Sequence, residues 1–110
     1  MAIQMIVSQK GPLPIKVSFS APGDMEACLV INGSVWATTA NTMVGIQVAL
    51  DGQNIGTAQI FSNGANTHRA AVPVYIPVKL AYGQQHTLTL SAMPNTTTDF
   101  NDFYTAVLDY

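Results

Sequence analysis

Apolar residues in this chain recur at every second position, and that spacing dictates extended strands, because successive side chains of a strand point to opposite faces. From Ala71 to Leu80, Val72, Val74, Ile76, Val78 and Leu80 share one face while Ala71, Pro73, Tyr75, Pro77 and Lys79 share the other. His86, Leu88, Leu90 and Ala92 alternate in the same way with Gln85, Thr87, Thr89 and Ser91, and Ile15, Val17 and Phe19 make a third such face. Val44, Ile46, Val48 and Leu50 lead into Asp51-Gly52, a pair suited to a two-residue hairpin, with Ile55 to Ile60 as the returning strand. Helical spacing is not sustained anywhere over a useful length. With Ile3 to Ser8, Met25 to Ala37 and Phe103 to Tyr110 added, the pattern predicts an all-β chain of about eight antiparallel strands. A two-sheet jelly-roll sandwich is the economical arrangement, and an immunoglobulin-like sandwich is the alternative.

A chain of 110 residues suits one such domain, spanning residues 1–110. Charged residues are only 9% of it, whereas Thr, Ser, Asn and Gln number 31, so neutral hydroxyls and amides must cover the surface. The net charge of −2 comes without any basic run to neutralise successive phosphates, which argues against a nucleic-acid partner. No apolar stretch approaches the roughly 20 residues of a membrane span, so membrane insertion is not expected. Met1 to Lys10 lacks a basic segment followed by an apolar one, which points to a cytoplasmic protein or to export without a visible signal peptide, with an extracellular or virion-associated destination open. Cys28 is the single cysteine and reads as a small apolar residue within Ala27-Cys28-Leu29-Val30.

Two strands carry further information. Pro73 and Pro77 have the same parity and remove two backbone donors from one side of their strand, which places it at a sheet edge or at a bulge, with Tyr75 exposed between them. The final strand is apolar on both faces, with Phe103 and Val107 on one and Tyr104, Ala106, Leu108 and Tyr110 on the other. A second copy of the chain is the simplest cover for the extra face, so a homo-oligomer is expected, a trimer before a dimer, burying Tyr104 or Tyr110 between subunits.

If consecutive strands run antiparallel, the loops alternate between the two ends of the sandwich. One end then gathers Lys10 to Pro14, Thr38 to Thr42, Ser62 to Arg69 and Pro94 to Asp102, all long or polar, while the other holds only short turns. The candidate ligand-binding residues are therefore Asn63, Asn66, His68, Arg69, Asp99, Asn101 and Asp102. A Ser62, His68 and Asp99 set resembles a nucleophile triad on paper but lacks a strained nucleophile turn, and no second acidic loop faces Asp99 and Asp102, so no catalytic residue is assigned and no enzyme is expected. Asp99, Asn101 and Asp102 place three oxygen-bearing side chains within four residues, which could contribute to a hard cation, but this is not an EF-hand loop, since Phe103 stands where that pattern wants an oxygen ligand, so no cofactor is required and calcium is the one candidate. His86 falls among apolar residues and reads as a hydrogen-bonded core histidine.

Leu80-Ala-Tyr-Gly-Gln-Gln-His-Thr-Leu-Thr-Leu90, followed by Asp99-Phe-Asn-Asp-Phe-Tyr at the start of the final strand, resembles the closing half of small bacterial or viral jelly-roll modules. Those include carbohydrate-binding modules and tumour-necrosis-factor-like or C1q-like trimers. The resemblance covers roughly the last third of the chain and implies a non-catalytic recognition domain, lectin-like and trimeric. Two functions follow as expectations: binding of a saccharide or glycoconjugate by the polar loops beside an aromatic such as Trp36 or Tyr75, or a structural or host-attachment role in a fibre, phage tail or secretion apparatus.

Overall fold

The computed structural model describes residues 2–110 and measures 44 × 24 × 20 Å. Its strands are β1 (Ile3–Lys10), β2 (Ile15–Ser20), β3 (Met25–Val35), β4 (Thr42–Leu50), β5 (Gln53–Ser62), β6 (Arg69–Ala70), β7 (Val74–Leu80), β8 (Gln85–Ala92) and β9 (Phe103–Asp109). One sheet runs β1-β9-β3, with β7 and the short β6 following each other along the far edge of β3; the other runs β2-β8-β4-β5. Every pairing is antiparallel. Taking β6 and β7 as one interrupted strand, the chain crosses between sheets in the order of a jelly roll. The immunoglobulin-like alternative is excluded, because β1 and β2 lie in different sheets instead of pairing.

The alternation decides which residues meet between the sheets. Leu29, Ile31, Val35, Ile76, Leu80, Tyr104, Ala106 and Leu108 of one sheet pack against Phe19, Val44, Ile46, Val48, Ala58, Leu88 and Leu90 of the other. The β4–β5 hairpin turns at Asp51 and Gly52, whose φ values of 53° and 84° are those of the two-residue turn that the sequence calls for.

Three features depart from the sequence pattern. Between β6 and β7 the backbone leaves the edge of β3: Ala71 N donates to Gly33 O and Val72 N donates across to Gln59 O of β5. That detour shifts parity, so Ala71 is buried and Val72 is exposed, the reverse of the expected faces. Cys28 lies half-buried on the outer face, opposite Asp109 and Pro77, not in the core. Tyr104 is enclosed entirely within its own chain, so it cannot be the tyrosine that meets a second copy. Its ring lies over Gly33, the residue opposite it in the register, where a methyl group would overlap both that ring and Ile46.

β7 is an edge strand, with Pro77 inside it and Pro73 just before it, and Tyr75 stands on its outer face. The outer side of β9 is uncovered by its own chain. There Met5, Val107, Val30 and Tyr75 form one cross-strand row, because Met5 and Val30 both register with Val107 and Tyr75 registers with Val30. Among the described residues no helix is long and apolar enough to cross a membrane.

Candidate functional site

The polar loops do converge on one end, and hydrogen bonds show how. Gly11 N donates to Asp102 O at 2.9 Å, Asn66 N to Ala37 O at 2.7 Å, and Leu13 N to Thr98 Oγ1 at 2.9 Å. Trp36 and Thr97 exchange backbone bonds of 3.0 and 2.7 Å in an isolated bridge. Four separate connections are thereby tied into one platform.

Asp102 is its hub. Its side chain has 0% exposure, and a carboxylate so placed needs donors. Ser34 Oγ donates to Oδ1 at 2.6 Å, Asp99 N donates to Oδ2 at 2.9 Å, and His68 Nδ1 lies 2.7 Å from Oδ1. An ionised carboxylate only accepts, so Nδ1 carries the proton and, in the neutral ring, Nε2 carries the lone pair. From below, Tyr104 Oη donates to Ser34 O at 2.7 Å and so fixes the residue that holds Asp102. Burial, reinforced by the Asp102 charge, pushes the Tyr104 phenol well above its ordinary range, keeping it a neutral donor.

Above the hub the site opens. His68 and Asp99 side chains are 37% and 36% exposed, with Nε2 3.7 Å from Asp99 Oδ2, too long for a hydrogen bond. The Trp36 indole lies tilted against the imidazole at 5.5 Å between centroids. Asn101 N donates to Asp99 Oδ1 at 2.8 Å and Asp102 N to Asp99 O at 3.1 Å, a capped turn that leaves Oδ2 as the outward oxygen. Asn63, Asn66 and Asn101 are exposed around this rim.

Of the residues singled out in the sequence, His68, Asp99 and Asp102 come together, but in different roles. Asp102 is no ligand-facing acceptor, because its oxygens are spent on interior donors. Asp99, Asn101 and Asp102 therefore do not present the 6–8 oxygens that calcium takes. Arg69 belongs to β6 and not to the loop, pairing with Val35, and its Nε is buried without a partner. Ser62 is buried with its hydroxyl donated to Gly64 O at 2.9 Å, so no Ser62–His68–Asp99 relay is assembled. Tyr75 sits on the edge strand β7, outside this platform. Sequence reasoning overlooked Ser34 and Gly33, since a serine and a glycine inside a strand announce nothing until register places them against Asp102 and Tyr104. It also passed over Phe100, whose exposed ring stands at the tip of the Asp99 turn.

The other end is built differently. Asp51 Oδ2 lies 2.7 Å from His86 Nδ1, Asp51 Oδ1 accepts from Thr87 N at 2.9 Å, and Asp51 N donates to Thr87 O at 2.8 Å. The His86 contact, then the Thr87 amide, holds the Asp51 carboxyl below its ordinary range. His86 is buried beside Phe19, as its apolar setting predicts, and its Nε2 has no partner.

No protein-family model matches the chain, and no curated relative matches it. Among solved structures the chain is similar to the C-terminal domain of EclA, a sugar-binding protein, at 16% identity and a TM-score of 0.49; the alignment covers 92% of this chain and 66% of that one. It is also similar to a carbohydrate-binding module of family CBM36 in complex with calcium and xylotriose, at 13% identity and a TM-score of 0.45 over 99% of this chain and 92% of that one. A CBM36-1 domain of a multidomain xylanase from the hindgut metagenome of Trinervitermes trinervoides aligns at 12% identity and a TM-score of 0.42 over 97% and 94% of the two chains.

Proposed function

We propose that this chain is a non-catalytic carbohydrate-recognition module whose ligand meets the platform formed by His68, Asp99 and Trp36. The observation that carries the reading is the outward-facing pair, His68 Nε2 and Asp99 Oδ2, both partly exposed and held on a rigid base beside an indole ring. Sugars present hydroxyls that donate and accept together with apolar ring faces, and this surface offers acceptors, amide side chains from Asn63, Asn66 and Asn101, and an aromatic neighbour. Each hydrogen bond contributes only about 0.5–1.5 kcal/mol net, so one site binds weakly and useful affinity comes from several copies acting together.

That requirement connects the ligand site to assembly. The uncovered row of Met5, Val107, Val30 and Tyr75 is the surface through which copies would associate, as a trimer in the preferred reading, with Tyr110, partly exposed just beyond β9 and of the opposite parity, reaching a second copy only at its margin. The same row favours the second reading, a structural or attachment component, extracellular or on a virion, in which assembly is the function. A glycan array separates the two. Saccharide binding that disappears in a His68→Ala, Asp99→Asn variant of unchanged melting temperature supports the first. An array on which the assembled wild-type protein binds nothing supports the second.

A further inference from the structure

We infer that His68 Nε2 and Asp99 Oδ2 form a binding site for a borderline transition-metal ion of the zinc class, with Asp102 as the group that orients the histidine. With Nδ1 donating to Asp102, the neutral imidazole carries its lone pair on Nε2, 3.7 Å from Asp99 Oδ2, so two acceptor atoms lie close together. A cation satisfies both. Zinc binds nitrogen and carboxylate oxygen at about 2.0–2.2 Å, and an ion equidistant from these two atoms closes a 3.7 Å separation at an angle of roughly 120°, suited to a four-coordinate site.

The surroundings fit the same ion. Donor atoms of His68, Asp99 and Asp102 all lie within 4.8 Å of one another, but the Asp102 oxygens already hold Ser34, Asp99 N and the ring itself. Asp102 thus takes the outer position, the carboxylate that fixes the tautomer of a metal-bound histidine and raises its basicity. A single free carboxylate oxygen beside an imidazole is a poor set for calcium and a suitable one for zinc, nickel or copper. Two protein ligands leave the remaining positions to water, which makes the site exposed and exchangeable.

This inference stands on the pair's geometry and not on sugar recognition, so a titration with metal alone tests it separately. Tag-free full-length protein is titrated calorimetrically with zinc chloride and with calcium chloride, and cobalt is followed by visible absorption. The expected result is one zinc ion per chain, cobalt absorption of a four-coordinate site, and no comparable calcium binding. His68→Ala and Asp99→Asn each lower zinc affinity at least tenfold, whereas Cys28→Ser leaves it unchanged. Asp102→Asn lowers it roughly 10–100-fold where the variant folds; the two exposed variants decide the matter if it does not. Absence of saturable zinc binding, zinc binding that survives His68→Ala, or zinc binding lost in Cys28→Ser overturns the assignment.

Discussion

Two histidine–aspartate pairs mark the two ends of this sandwich, alike in length and opposite in exposure. At the loop end the aspartate is sealed and the histidine open, with side chains 0% and 37% exposed; at the turn end the histidine is sealed at 8% and Asp51 is open at 50%. Both contacts measure 2.7 Å. The difference lies in what each pair leaves free. His68 turns its second nitrogen outward to Asp99, whereas His86 turns its own into the core, where it reaches nothing. A short His–Asp contact therefore does not by itself distinguish the two ends; the surroundings of the second ring nitrogen do.

The largest effect expected from breaking this symmetry is at Asp102. Asp102→Ala strands the Ser34 hydroxyl, the Asp99 amide and the His68 ring at a buried position, and should cost about 3–5 kcal/mol in denaturant unfolding. Asp51→Ala removes a half-exposed, water-screened partner and should cost under about 1 kcal/mol. Equal losses for the two would contradict the assigned roles.

Next in size is Gly33→Ala, which forces the Tyr104 ring off its seat and should cost about 1–3 kcal/mol. Because Tyr104 supports Ser34, this variant should also disturb the His68 ring signals in NMR while leaving those of His86 in place.

Smaller effects appear in the pH dependence of stability. Asp51 has a depressed folded-state pKa, so its contribution is present above the ordinary carboxylate value of 3.8 and is lost as pH falls through the lower folded value. Unfolding midpoints measured from pH 5 down to 2 should fall less steeply in Asp51→Asn. Tyr104 is shifted the other way: its contribution is complete below the ordinary phenol value of 10.0 and is lost as pH rises above it. An alkaline decline that Tyr104→Phe leaves unaltered would show that the buried phenol is not its source.

Much of this contrast is legible in the sequence, though unevenly. The period-two runs specify the strands, Asp51-Gly52 specifies its hairpin, and the alternation of loops between ends brings His68, Asp99 and Asp102 to one place. The direction each side chain takes is not legible. Asp102 and Asp99 look interchangeable as loop carboxylates, yet Asp102 immediately precedes β9 and is drawn inward by Ser34, a residue 68 positions away. Tyr104 shares the inward parity of Ala106 and Leu108, and only the register opposite Gly33 shows that the core has room for its ring. Val72 obeys the alternation on paper and breaks it in space, because its amide bonds to the other sheet.

On the proposed function, the loop end, and not the turn end, meets the ligand. The most direct test is calorimetric titration of the strongest array-selected oligosaccharide into wild-type protein, into His68→Ala, Asp99→Asn and into Asp51→Asn, each shown to be folded by its melting curve. The expected result is at least a tenfold loss of affinity in the loop-end variant and wild-type affinity in Asp51→Asn. Retained affinity in the first, or a comparable loss in the second, would contradict it.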